Sequence, residues 1–159
     1  MPRDAMMRST KGALRLWLRA LTLTNMVEGR VRKRLRIHFD VTLPRFDVMA
    51  ALYDAPEGSS MGELSRRLMV SNGNVTGIVE RLERECLVSR RTRPDDRRSQ
   101  VVRLTDGGRG AFEEMAGMHE TWISSMFSGL NEEEAEQLYD LLGKAKRSVL
   151  ESEGEEEKG

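Results

Sequence analysis

Cysteine is nearly missing from this 159-residue chain. The only one, Cys86, excludes an intramolecular disulfide framework and a multi-cysteine zinc site. Histidine is almost as scarce. His38 and His119 lie far apart in sequence, so neither a metal centre nor another cofactor is expected. No run of about 18 apolar residues is present to span a membrane. The opening MPRDAMMRSTKG has no apolar stretch of the kind a secretory signal needs, which makes the cytoplasm the expected location. A nucleophile–base pair, a glycine loop for phosphate and a metal cluster are all lacking, so an enzyme is not expected. Aromatic residues are few, and none of the eight falls between residues 60 and 105.

Net charge is absent too, at 26 basic against 26 acidic side chains. That zero is a cancellation. Residues 1–110 hold 22 basic and 13 acidic side chains, whereas residues 111–159 hold 4 and 13. A basic body with an acidic end suits a molecule that turns one face towards a polyanion.

What is there is a clear helical order. From Lys11 to about Ile37 there is no proline, and Leu14, Trp17, Leu18, Leu21, Val27, Val31 and Leu35 recur at helical spacing. A helix of about seven turns is too long for a small domain to bury alone and implies a partner chain. Pro44 opens a second helix carrying Phe46, Met49 and Tyr53, ended by Pro56-Glu57-Gly58. Ser60-Met61-Gly62-Glu63 reads as a capping box before a short helix. Ser71 then caps another helix, to about Glu85. Leu87–Arg93 and Gln100–Thr105 read as two strands. A long helix with Phe112, Met115, His119 and Trp122 on its apolar stripe stops at Gly129, and Asn131 caps the last helix. The expected fold is mainly α with a small β-ribbon (α+β). It divides into an N-terminal arm and long helix (1–40), a central lobe of short helices and strands (41–109), two C-terminal helices (110–150) and a disordered acidic tail (151–159).

LSRRLMVSNGNVTGIVERL, residues 64–82, has the spacing of a helix-turn-helix. Val75, Ile78, Val79 and Leu82 share one face of its second helix; Gly73, Gly77, Glu80 and Arg84 share the opposite face. Two glycines in a helix cost about 1 kcal/mol each relative to alanine, which suits an outer face that a DNA groove approaches closely. Asn74, Thr76, Arg81 and Arg84 are placed to meet DNA, and Ser71 and Asn72 to reach phosphates from the helix N-terminus. Downstream, Arg97 and Arg98 tip the ribbon as minor-groove arginines, with Asp96 spaced to brace the Arg98 guanidinium.

GELSRRLMVSNGNVTGIVERLERECLVSRRTRPDDRRSQVVRLTDGGR, residues 62–109, resembles the winged helix-turn-helix of the multiple-antibiotic-resistance regulator (MarR) family. Asp96-Arg97-Arg98 with Val102-Arg103-Leu104-Thr105 and Gly108 is the most specific part. The resemblance covers roughly residues 11–150. It implies a homodimer on a pseudo-palindromic DNA operator, acting as a repressor released by a small ligand. It also implies an effector pocket beneath the DNA-binding lobe, for which Trp17, Arg36, His38, Arg45, Phe46, Met49, Tyr53, His119 and Trp122 are candidates. LRLWLRALTLTNMVEGRVRKRLR and TLPRFDVMAAL are similar to the branch that senses hydroxycinnamic or other aromatic acids, often as coenzyme A thioesters. Where the family has glycine after the recognition helix, this chain has Cys86, whose Cβ argues against a left-handed cap. Cys86 is expected as a small packed side chain; the alternatives are a redox-responsive regulator using Cys86, and a dimeric adaptor that binds protein through its acidic end.

Overall fold

Thirty residues without proline form one uninterrupted helix, α1 (Thr10–Phe39), in the computed structural model, which describes residues 10–156 apart from the side chains of Arg97 and of 154–156. The N-terminal arm and residues 157–159 lie outside the described part. The helix α2 (Leu43–Tyr53) follows an extended Thr42, with Pro44 in its first turn. Next come strand β1 (Ser59–Ser60), α3 (Met61–Leu68), α4 (Asn72–Arg84), β2 (Val88–Arg93), β3 (Asp96–Leu104), α5 (Asp106–Met126) and α6 (Glu132–Glu156). The architecture is mostly helical with a three-stranded antiparallel sheet in the order β1-β3-β2.

The chain divides into two units, Met1–Glu120 and Thr121–Gly159. In the first, the core is built by Val31 and Leu35 of α1, Val48, Met49 and Leu52 of α2, Leu64 of α3, and Val75, Val79 and Leu82 of α4. Only the C-terminal half of α1 contributes buried apolar side chains, Gly12 being the one buried position in its first half. Leu14, Leu16, Trp17, Leu18 and Met26 stay about half exposed. In the second unit, Asn131 and Glu134 form a reciprocal cap, Asn131 Oδ1 accepting from the Glu134 amide (2.9 Å) and Glu134 Oε2 from the Asn131 amide (3.0 Å). Leu141, Leu142, Val149 and Leu150 of α6 are exposed.

Three local expectations change. A third strand, β1, joins the ribbon, pairing Ser59 with Val102 and Ser60 with Val101. The ribbon's turn is tighter than expected, because Arg93 pairs with Asp96 and the register then slips, leaving Arg97–Ser99 as an irregular bulge. The acidic tail expected from Glu151 is helical as far as Glu156. Glu and Ser have no strong helix-breaking preference and Gly154 costs only about 1 kcal/mol relative to alanine, so α6 runs on to Glu156.

Two glycines are dictated by the backbone around them. Gly58 has φ of +98°, and a Cβ on it would overlap Val101 of β3. Gly108, in the first turn of α5, lies against the Leu87 carbonyl so closely that a Cβ would overlap it.

Candidate nucleic-acid interface

The helix-turn-helix is built by its caps. Ser60 accepts from the Glu63 amide (3.1 Å) and Glu63 from the Ser60 amide (2.8 Å), completing the expected capping box of α3. The Ser60 amide, and after it the Ser59 hydroxyl, which also donates to Glu63 (3.1 Å), hold the Glu63 carboxyl below its ordinary range. Met69 ends α3 in the left-handed conformation (φ 54°), its amide donating to Arg66 O and the Val70 amide to Ser65 O. That pattern is a Schellman cap. Ser71 is extended and accepts from the Asn74 amide (3.3 Å), so α4 begins where the sequence places it.

The far end of α4 closes the same way. The Cys86 amide donates to Glu83 O (3.0 Å) and the Leu87 amide to Leu82 O (2.9 Å), with Cys86 at φ 59°. The Cβ of Cys86 was expected to resist this conformation; the structure adopts it, because Thr105 fixes the turn from the other side. Its hydroxyl donates to Cys86 O (2.7 Å) and accepts from the Gly108 amide (3.0 Å), while its own amide donates to Leu87 O (3.0 Å). Cys86 is also exposed rather than packed, since the left-handed turn throws its side chain outward.

Ser71, Asn72, Asn74, Arg81 and Arg84 are all exposed on α4. Thr76 is half-buried and its hydroxyl donates to Asn72 O (2.8 Å), one turn back along the helix. Gly73 and Gly77 have ordinary helical conformations, and a Cβ on either would meet open space.

On the wing, Arg91, Arg93 and Arg98 are exposed, and the Arg97 side chain lies outside the described part. Asp96 braces the tip differently from the expectation. Its Oδ1 accepts from the Arg98 amide (3.0 Å), because a carboxylate two residues back reaches the backbone more readily than a guanidinium. Arg90 turns inward, to Glu83 of α4 (2.8 Å), and staples the wing to that helix.

The nine effector candidates do not converge. Phe46, Tyr53, Phe112 and His119 form one aromatic cluster between α2 and α5, with centroid separations of 4.9–5.4 Å. Burial there pushes the His119 imidazole below its ordinary pKa. Met49 is fully buried, and Tyr53 bonds Glu113 (3.0 Å) beneath the Arg109 guanidinium. Phe46 and Met49 are buried here, whereas Tyr53 and His119 are half-buried. Trp17 and His38 are exposed on α1, and Trp122 belongs to the second unit. Arg45 is buried and ion-paired with Glu85; burial, then the nearby Arg81, lowers its pKa.

Arg36 alone of the nine lines a cavity of about 750 Å³ between the end of α1, the start of α2 and α4. One wall is basic, with Arg32, Lys33 and Arg36; Val41, Leu43, Val70 and Ile78 are apolar, and Asn74 of α4 completes it. A smaller cleft of about 280 Å³, sharing Thr42, Asn74 and Ile78, reaches Arg45, Gly73, Gly77 and Arg81. The three cations of the larger cavity belong to a basic run at residues 30–36, the sequence feature that could mark this place.

A family model described as the MarR family matches residues 39–99. An uncharacterised transcriptional regulator of the helix-turn-helix type from Bacillus cereus is 31% identical over 137 residues, covering 86% of this chain and 89% of the relative. The chain belongs to the MarR family. A mutant of MarR itself, from E. coli, superposes with a TM-score of 0.71 at 26% identity, over 80% of this chain and 93% of MarR. MepR of S. aureus, solved as a complex with DNA, has the same fold, with a TM-score of 0.69 at 23% identity over 80% and 93% of the two chains. As a MarR-family member the protein is a DNA-binding transcriptional regulator, with α3 and α4 as its helix-turn-helix and β2–β3 as its wing. Its relatives are regulators rather than enzymes. Among the described residues no helix is long and apolar enough to cross a membrane.

Proposed function

We propose that the protein is a homodimeric repressor whose hold on a pseudo-palindromic operator is released by an aromatic acid or its coenzyme A thioester. The observation that carries the effector reading is the 750 Å³ cavity, whose volume suits a small ligand. Its apolar wall fits a ring and its three cations fit a carboxylate or phosphates. Asn74 and Ile78 belong to the helix that faces DNA, so a bound molecule touches the reading element directly. Effector binding is therefore moved from the aromatic cluster to this cavity.

Dimerisation is supported by the uncovered apolar side chains of α1, Trp17 and Leu18 among them, and separately by those of α6. Residues 1–40 and 110–150 are assigned to that role and residues 41–109 to DNA. On the DNA, Ser71 and Asn72 meet phosphates, Asn74, Thr76 and Arg84 face the major groove, Arg81 meets a phosphate at its rim, and Arg97 and Arg98 enter the minor groove with Asp96 fixing the tip. The DNA complex of MepR supports this docking by analogy of fold.

The test is a mobility shift on the duplex upstream of the protein's own gene, repeated with p-coumaroyl-, feruloyl- and benzoyl-CoA and the free acids. Release by one of them, lost in Ile78→Trp, is expected. A shift that none alters at high micromolar concentration, with no heat on calorimetric titration, would sink the effector reading while leaving the DNA reading intact.

A further inference from the structure

We infer that Arg45, on α2 rather than on the recognition helix, is a positioning residue for DNA binding: by holding Glu85 it keeps Arg81 available for a phosphate. This rests on the proposed contact between Arg81 and DNA. Glu85 is the C-terminal cap residue of α4 and its carboxylate is shared. Oε2 pairs with Nη2 of Arg45, and Oε1 lies 3.7 Å from Nε of Arg81, one turn earlier on the same helix.

The two claims on Glu85 are unequal. The Arg45 side chain is only 10% exposed, whereas that of Arg81 is 60% exposed. Arg45 is thus the more desolvated of the two, and its Nε has no hydrogen-bond partner among the described residues. Asp40 lies near enough to act on this guanidinium, but Glu85 is the carboxylate paired with it directly, and removing such a partner from a buried charge is far more costly than breaking an exposed pair. The Arg81–Glu85 pair is an exposed i,i+4 contact at long range, a kind that contributes little. Glu85 is thus committed to Arg45, and Arg81 can leave it at small cost.

Take Arg45 away and both terms reverse. Glu85 turns wholly to Arg81, and a phosphate must then compete with an intrahelical ion pair. The Glu85 charge, no longer neutralised, also faces the DNA backbone from the end of α4. The sequence presents Arg45 as a lone cation after Pro44. Only the fold, by crossing α2 over the end of α4, makes it the partner of a residue forty positions on.

The experiment measures log Kd against log salt by fluorescence anisotropy of the labelled duplex upstream of the gene, using the full chain. Arg81→Ala is expected to flatten the slope by about 0.9 for each recognition helix bound. Arg45→Met should flatten it by a similar amount. Adding Glu85→Gln to Arg45→Met should restore the wild-type slope, because Arg81 is again free; a residue needed only for packing gives no such rescue. Should Arg45→Met lose its helical circular dichroism, Arg45→Gln is measured in its place. An unchanged slope in the Arg45 variant, or a weakened affinity that Glu85→Gln does not rescue, overturns the inference. A wild-type slope in Arg81→Ala overturns the Arg81 contact instead, and the role of Arg45 with it.

Discussion

Gly77→Ala should push stability and DNA affinity in opposite directions. Gly77 sits within α4 at an ordinary helical φ, and a Cβ there meets no atom of this chain within 4 Å. Nothing in the fold requires glycine, so the substitution collects the helix-propensity difference undiminished, about 1 kcal/mol. For a chain of this size that raises Tm by roughly 2–4 °C. Wild type and variant must be compared at equal protomer concentration, since an associating protein has a concentration-dependent Tm. On the proposed docking a groove approaches the outer face of α4, and a methyl group there would hold the helix off the bases. The expected pair of results is a higher Tm by scanning calorimetry and a weaker mobility shift on the upstream duplex. A stabilised variant that binds as tightly as wild type would refute the reasoning, because the open space at Gly77 would then serve no approaching surface. A variant of lower Tm would refute it from the other side, by showing a packing role that the geometry denies.

Three further outcomes are expected. Cys86→Gly should stabilise the fold by about 0.5–1 kcal/mol, read by urea denaturation, because Cys86 holds a left-handed turn at which a Cβ is penalised. Gly108→Ala should destabilise by about 1–3 kcal/mol in the same assay, since its methyl group would overlap the Leu87 carbonyl and force α5 away from the end of α4. His119 has its pKa lowered by burial, so the unfolded chain binds the proton more readily. Stability should be complete above the ordinary value near 6.5 and fall as pH drops from there through the lower folded value. His119→Phe should flatten that part of the stability–pH curve, and a slope that persists in the variant would assign it to other groups.

The elements whose signals are local were legible in the residues alone. Ser60 with Glu63, Ser71, and Asn131 with Glu134 cap the helices they were expected to cap, since each cap needs only three or four neighbouring residues. β1 was not legible, because Ser59 and Ser60 are a strand only by virtue of Val101 and Val102 far along the chain. The left-handed turn at Cys86 was misjudged for a related reason. Intrinsic preference opposes it, and the decisive bonds come from Thr105. Phe46, Met49, Tyr53 and His119 looked equally suited to a pocket and a core, since periodicity reports which side chains turn inward and not whether space is left between them. The cavity itself is made by Arg32, Lys33 and Arg36 meeting Val70, Asn74 and Ile78, and that meeting depends on how three helices cross.

Thr105 joins the last turn of α4 to the first turn of α5 through one oxygen atom. Everything between Cys86 and Thr105 is a hairpin hung from that joint. A hairpin of this kind can gain or lose residues at its free tip, Pro94-Asp95, and shorten or lengthen its reach without disturbing its root. An extra residue between Cys86 and Val88 has no such outlet, because the backbone there is pinned by Gly108 on one side and Thr105 on the other. The length of the arm is therefore open to variation among descendants of this chain, while the angle at which its helix meets a groove is inherited nearly fixed.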